Sequence, residues 1–126
     1  MQIDRLDHLV LTVRDMAATI AFYTKVLGME EVTFGEGRKA LVFGRQKINL
    51  HAAGREFEPK AEAPTPGSAD LCFIVNDPLE AVAAHLAAHG VETLGPASPR
   101  TGATGPITSL YLRDPDGNLI ELSNYR

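Results

Sequence analysis

"DHLVLTVRDM" (Asp7–Met16) returns 62 residues later as "ADLCFIVNDP" (Ala69–Pro78). The same offset, without a gap, carries Val13 onto Val75, Asp15 onto Asp77 and Gly28 onto Gly90. Each copy begins with a period of two and passes into a helical period, which predicts a strand followed by a helix. Asp15 and Asp77 are N-cap candidates, Pro78 suits a first helical position, and the two glycines suit C-caps. Met16, Ile20, Tyr23 and Leu27 form one apolar stripe, and Leu79, Val82, Ala83 and Leu86 form its counterpart.

Further on the register comes back. "INL" (Ile48–Leu50) lies over "IEL" (Ile120–Leu122) at an offset of 72, the added length falling around "DPDG" (Asp114–Gly117). That tetrapeptide is a turn: Pro has the fixed φ of position i+1, and Gly tolerates positive φ. Each half therefore predicts a strand, a helix and about three more strands. The fold class is α+β, two tandem βαβββ modules. Module one takes in about residues 1–52 and module two about 69–126; residues 53–68 are polar, with Pro59, Pro64 and Pro66, as in a linker. A half of about sixty residues buries too little surface alone. The modules are thus expected to form one domain over 1–126, their curved mixed sheets enclosing a metal or ligand cleft.

Composition narrows the function classes. The 126 residues are 44% hydrophobic and 22% charged, with net charge -4, as in an ordinary soluble globular chain. No basic cluster favours nucleic acid, and no apolar run favours a membrane span. The single cysteine, Cys72, excludes an internal disulfide framework and suits a reducing cytoplasm.

Alternation sorts the strand residues into faces. Leu9, Leu11 and Val13 oppose His8, Val10 and Thr12; Leu71, Phe73 and Val75 oppose Asp70, Cys72 and Ile74. Ile48 and Leu50 oppose Asn49 and His51, and Ile120 and Leu122 oppose Leu119, Glu121 and Ser123. The apolar sets should meet the helices. The other faces then carry His8, Asn49, His51, Asp70 and Glu121. Glu121 interrupts an apolar run, where an unpaired carboxylate is expensive to bury. It either points to solvent or has a cationic partner, histidine or a shared metal.

The paired βαβββ pattern, "DHLVLTV…FYTKVLGM" and "LRDPDGNLIEL" together resemble the vicinal oxygen chelate superfamily. That superfamily includes glyoxalase I, extradiol dioxygenases, methylmalonyl-CoA epimerase, fosfomycin-resistance enzymes and bleomycin-binding proteins. "KINLHAAGREFEPKAEAPTPGSADLCFI" and "PRTGATGPI…IELSNY" are similar to the glyoxalase-domain-containing 5 subfamily. The resemblance implies a divalent metal held from the first and last strands of the two halves. A glyoxalase-type set of His or Gln, Glu, His and Glu falls on His8, Asn49, Asp70 and Glu121. His8 and Glu121 match, whereas Asn49 replaces an acid and Asp70 replaces a histidine. His51, two residues from Asn49, offers a substitute imidazole, so the expected ligands are His8, His51, Asp70 and Glu121. Such N/O ligation suits Zn, Mn, Fe, Co or Ni.

Other residues have plainer readings. Asn49 is expected as an amide behind the ion or against the substrate, and Cys72 as an inert thiol. His85 and His89 have helical i, i+4 spacing but no neighbouring acid motif, as on a polar helix edge. Residues 95–107 are loop-like in composition, with Arg100 as the only charge, placed to bind a substrate carboxylate or phosphate. Arg38 and Lys39 follow a Gly-Glu-Gly turn and are expected in solvent.

Two functions of different class follow. The resemblance implies a metal-dependent, glyoxalase-like lyase or isomerase whose ion chelates adjacent oxygens of a small substrate. Glu121 or Asp70 would move the proton. A dioxygenase stands lower, because its two-His-one-carboxylate set would need histidine at Asp70. The alternative is a metal-free protein that binds an aromatic, antibiotic-like molecule, but no Trp is present and only 6% of residues are aromatic. The open edges of two small sheets further suggest a homodimer.

Overall fold

Both copies of the strand–helix repeat fold as separate compact units, Met1–Gly67 and Ser68–Arg126, in the computed structural model, which describes residues 1–126. The first unit contains β1 (His8–Val13), α1 (Met16–Ala21), β2 (Glu30–Phe34), β3 (Arg38–Phe43) and β4 (Gln46–Ala52). The second contains β5 (Asp70–Ile74), α2 (Leu79–Ala88), β6 (Ser98–Thr101), β7 (Pro106–Arg113) and β8 (Leu119–Tyr125). Each has one four-stranded mixed sheet, in the orders β1-β4-β3-β2 and β5-β8-β7-β6. No helix is long and apolar enough to cross a membrane.

The registers of the two sheets coincide under the sequence repeat. β1 and β4 are parallel, with His8 opposite Lys47, Val10 opposite Asn49 and Thr12 opposite His51. β5 and β8 are parallel, with Asp70 opposite Leu119, Cys72 opposite Glu121 and Ile74 opposite Ser123. Offsets of 62 and 72 therefore superpose one parallel pair on the other.

The apolar faces behave as alternation requires. In the first unit Leu11, Val13, Leu41, Ile48 and Leu50 are buried, together with Tyr23 from the helical segment. In the second, Leu79, Val82 and Leu86 of α2 are buried with Leu110, Leu112, Ile120 and Leu122. Burying one such aliphatic side chain contributes about 1.5–3 kcal/mol.

Local signals govern most element ends. Asp15 caps α1 by accepting from the Ala18 N–H at 3.0 Å. Gly28 and Gly90 follow the helical segments at φ 74° and 70°, the left-handed C-terminal position. At the Asp-Pro-Asp-Gly turn, Asp114 Oδ1 accepts from the N–H groups of Asp116 and Asn118, both at 2.9 Å. Asn118 then accepts from the Ala69 N–H at 2.8 Å, which ties the start of β5 to the turn.

Four local expectations need correction. α1 continues as a π-helical segment, Phe22–Val26, in which the Leu27 N–H reaches back five residues to the Phe22 carbonyl. The buried positions there are accordingly Thr19 and Tyr23, not the full predicted stripe. At α2, Pro78 is itself the N-cap residue and supplies no side-chain acceptor. Asn124 accepts from the Leu79 N–H instead of Asp77. The expected loop at 95–107 contains strand β6, paired antiparallel with β7. Finally, Lys39 lies against Glu31 at 3.0 Å and Thr33 at 2.8 Å, while Arg38 packs on aromatic rings; neither is simply solvated.

Candidate functional site

In the first unit, His8, Val10 and Thr12 of β1 share a face with Lys47, Asn49 and His51 of β4, because residues opposite each other in the register point the same way. His8 is exposed, at the start of its strand. Its Nδ1 lies 2.8 Å from Asp7 Oδ2. An ionised carboxylate only accepts, so Nδ1 carries the proton, and in the neutral ring Nε2 keeps its lone pair. That hydrogen bond, ahead of the charges of His8, Arg5 and Lys47, holds the Asp7 carboxyl below its ordinary value. A carboxylate behind a histidine in this way also fixes ring orientation for metal binding.

Asn49 and His51 are buried, 6% and 3% exposed. Asn49 Oδ1 and His51 Nε2 each lack a hydrogen-bond partner. An unsatisfied buried polar atom costs about 1–3 kcal/mol, so two on one face mark a place where a ligand atom or water belongs. Burial, followed by the charge of Arg38, pushes the His51 imidazole below its ordinary value, while Glu56 pulls the other way.

Register separates the two histidines of this face. His8 lies opposite Lys47, so His51 is four residues further along β4, about 13 Å at 3.3 Å per residue. Along this face the backbone spacing is thus longer from His8 to His51 than from His8 to Asn49. Asn49 is two residues along, about 7 Å, within reach of convergent side chains.

The second unit repeats that spacing: Asp70 lies opposite Leu119, and Glu121 is two residues along β8. Asp70 is exposed, Glu121 half-buried. Glu121 Oε2 accepts from Ser109 Oγ at 2.6 Å, and Ser109 Oγ is 2.7 Å from Ser123 Oγ. Cys72 Sγ lies 3.4 Å from Ser123 Oγ and completes the row. Partial burial pushes the Cys72 thiol up against the opposing effect of Ser123, and the charges of Glu121 and Asp70 push it further. The shift disfavours the nucleophilic thiolate, although Cys72 is exposed and not the buried cysteine that an inert reading implies. No group of three or more His, Cys, Asp or Glu side chains gathers at one place in the chain.

Arg100 stands on β6, on the face of Glu121. Its Nε donates to the Tyr111 hydroxyl at 2.9 Å, and its guanidinium lies 5.3 Å from the Tyr111 ring centre. Tyr111 is directly opposite Glu121 in the β7–β8 register. His85 of α2 and its C-cap residue His89, both exposed, have ring centres 4.3 Å apart at a tilt of 41°. Ser109, Ser123, Asp7 and Arg38 are not candidate site residues by sequence. Asp7 had an available signal, an acid beside a strand histidine; the other three depend on cross-strand register.

Comparison with known proteins agrees with this architecture. Residues 5–122 match the Glyoxalase/Bleomycin resistance protein/Dioxygenase superfamily. Virulence protein STM3117 of Salmonella typhimurium is 59% identical over 125 residues, covering 99% of this chain and 87% of that protein. Its crystal structure superposes with a TM-score of 0.98, covering 100% of both chains. The glyoxalase domain-containing protein RDO1 of Mycosarcoma maydis is 57% identical over 126 residues, covering 100% of this chain and 71% of that one. An ethylmalonyl-CoA/methylmalonyl-CoA epimerase of Cereibacter sphaeroides is 33% identical over 132 residues, at 95% and 97% coverage. With both units, their shared register and the match over 5–122, this chain belongs to the glyoxalase/bleomycin resistance/dioxygenase superfamily, the vicinal oxygen chelate proteins.

Proposed function

We propose that this protein is a divalent-metal-dependent lyase or isomerase of glyoxalase type, acting on a small substrate with two adjacent oxygens. The single observation that carries this reading is the repeated spacing: His8 with Asn49, and Asp70 with Glu121, occupy equivalent register positions in the two sheets. The donor chemistry fits a metal. His8 keeps Nε2 free behind Asp7, Asn49 Oδ1 is orphaned, and Glu121 is anchored through Oε2 alone. These three residues and Asp70 are the proposed ligands, an N/O set that suits Zn, Mn, Fe, Co or Ni.

The metal, when bound, would polarise the adjacent oxygens of the substrate and stabilise negative charge on them. The protein residues do the rest. Ser109 donates to Glu121 Oε2 and fixes the carboxylate, leaving Oε1 to hold the ion or, when displaced from it, to move a proton. Asp70 is the second carboxylate available for that task. Arg100, held by Tyr111 opposite Glu121, would orient the substrate. Relatives named for epimerase and glyoxalase domains support chemistry of this kind. We further place the protein in the cytoplasm as a homodimer, in keeping with a single free cysteine and open sheet edges.

Elemental analysis of protein purified without a metal-affinity tag tests the reading. About one ion per chain is expected, and His8→Ala or Glu121→Ala should abolish tight binding. Retention of the ion at wild-type affinity by both variants puts the site elsewhere. No uptake after adding Mn, Zn, Ni and Co favours a metal-free binding protein.

A further inference from the structure

The face that carries Asn49 and His51 also carries a cation with no anionic partner. Arg38 begins β3 and continues the β3–β4 register, in which Lys39 lies opposite Leu50, so it stands beside His51. Its guanidinium carbon is 4.6 Å from the Phe57 ring centre and 5.0 Å from that of Phe34. Phe57 packs edge-on against His51, with ring centres 5.6 Å apart. Two aromatic faces hold the side chain while leaving its N–H groups unengaged, since stacking uses the plane of the guanidinium and not its edge. Glu56, a carboxylate whose charge acts on His51, is already engaged by the Gly54 N–H at 2.7 Å.

We propose that Arg38 and His51 form an anion subsite for a small carboxylate. The guanidinium supplies a planar fork that matches two carboxylate oxygens, and it is fixed before the ligand arrives. His51 Nε2, buried and without a partner, supplies one more donor in its Nε2–H tautomer. The planar fork of Arg38 beside a buried imidazole suits a monoanion with two oxygens, with the Lys47 ammonium 4.2 Å from the Phe34 ring centre as the further charge on this face. A phosphate dianion would want more charge and more donors. Joined to the proposed metal reading, on which this extension rests, the subsite makes the substrate an acid whose carboxylate lies near its pair of adjacent oxygens. The subsite itself needs only the first unit.

Glycolate, a carboxylate with a neighbouring hydroxyl, is the probe, with inorganic phosphate and neutral ethylene glycol as comparisons. Chelator-treated protein is titrated while the ring signals of His51 are followed by NMR. Glycolate should shift those signals, and Arg38→Gln should weaken its binding roughly tenfold or more, the loss that goes with one charge-assisted pair. Arg38→Lys should recover part of that loss. Equal glycolate affinity in wild type and Arg38→Gln overturns the subsite. So does ethylene glycol matching glycolate, or phosphate binding more tightly than glycolate through Arg38. Metal uptake, measured separately on the same variants, should not change. Arg38-dependent glycolate binding in a protein that takes up no metal sustains the subsite and refutes the metal reading. Metal uptake alongside glycolate binding that is the same in wild type and Arg38→Gln does the reverse.

Discussion

His51 is the residue at which burial and function meet most directly. Alternation alone assigns it to the face of Asn49 and His8, and the structure keeps it there. Period two gives the face, whereas position along it requires the β1–β4 register, which no single strand encodes. Its depressed native value has a direct consequence for stability. Below the ordinary value of 6.5 the unfolded chain takes up a proton at this position that the native chain resists. The contribution is therefore intact above about pH 6.5 and is lost as pH falls through the lowered native value. Urea unfolding of chelator-treated protein should show a drop in stability between about pH 7.5 and pH 5.5. In His51→Gln, which cannot titrate, that drop should be smaller. Equal drops in both proteins would show that acid destabilisation arises elsewhere.

At the scale of elements, the features legible in advance are those whose causes are local. Asp15 caps α1 three residues away, and the Asp114 turn closes on itself through bonds that span two and four residues. The misses have distant causes. β6 holds Pro99 and follows a glycine, a poor strand signal, yet β6 is the edge of its sheet, where a missing N–H is tolerated. The start of α2 is held from β8: the Leu79 N–H donates to Asn124 Oδ1 at 3.1 Å, while Asn124 Nδ2 donates to the carbonyls of Val75 and Asp77. One side chain thus ties a strand end, a turn and a helix start together. Asn124→Ala should cost about 1–2 kcal/mol, as for a lost cap, whereas Asp77→Ala should stay within about 0.5 kcal/mol. Chemical denaturation checks both. A larger loss for Asp77→Ala would return the capping role to the aspartate.

For the whole molecule, the internal repeat made the fold legible, because one alignment specified both sheets. Assembly is less legible, since it depends on which apolar groups stay exposed after folding. Each sheet ends in a parallel edge strand, β1 in one and β5 in the other. Val10 on β1 remains 45% exposed and Ile74 on β5 52%, each on the face that carries candidate ligands. Apolar side chains on open edges are what association covers, and self-association of one chain is most often a two-fold dimer. Light scattering at micromolar concentration should accordingly give the mass of two chains. Replacing both Val10 and Ile74 with Glu places like charges on these edges, and should shift the mass to that of one chain without loss of secondary structure. A charged variant that stays dimeric locates the interface away from β1 and β5. A wild-type protein with the mass of one chain means that these edges remain open, and that every ligand of the metal must come from a single chain.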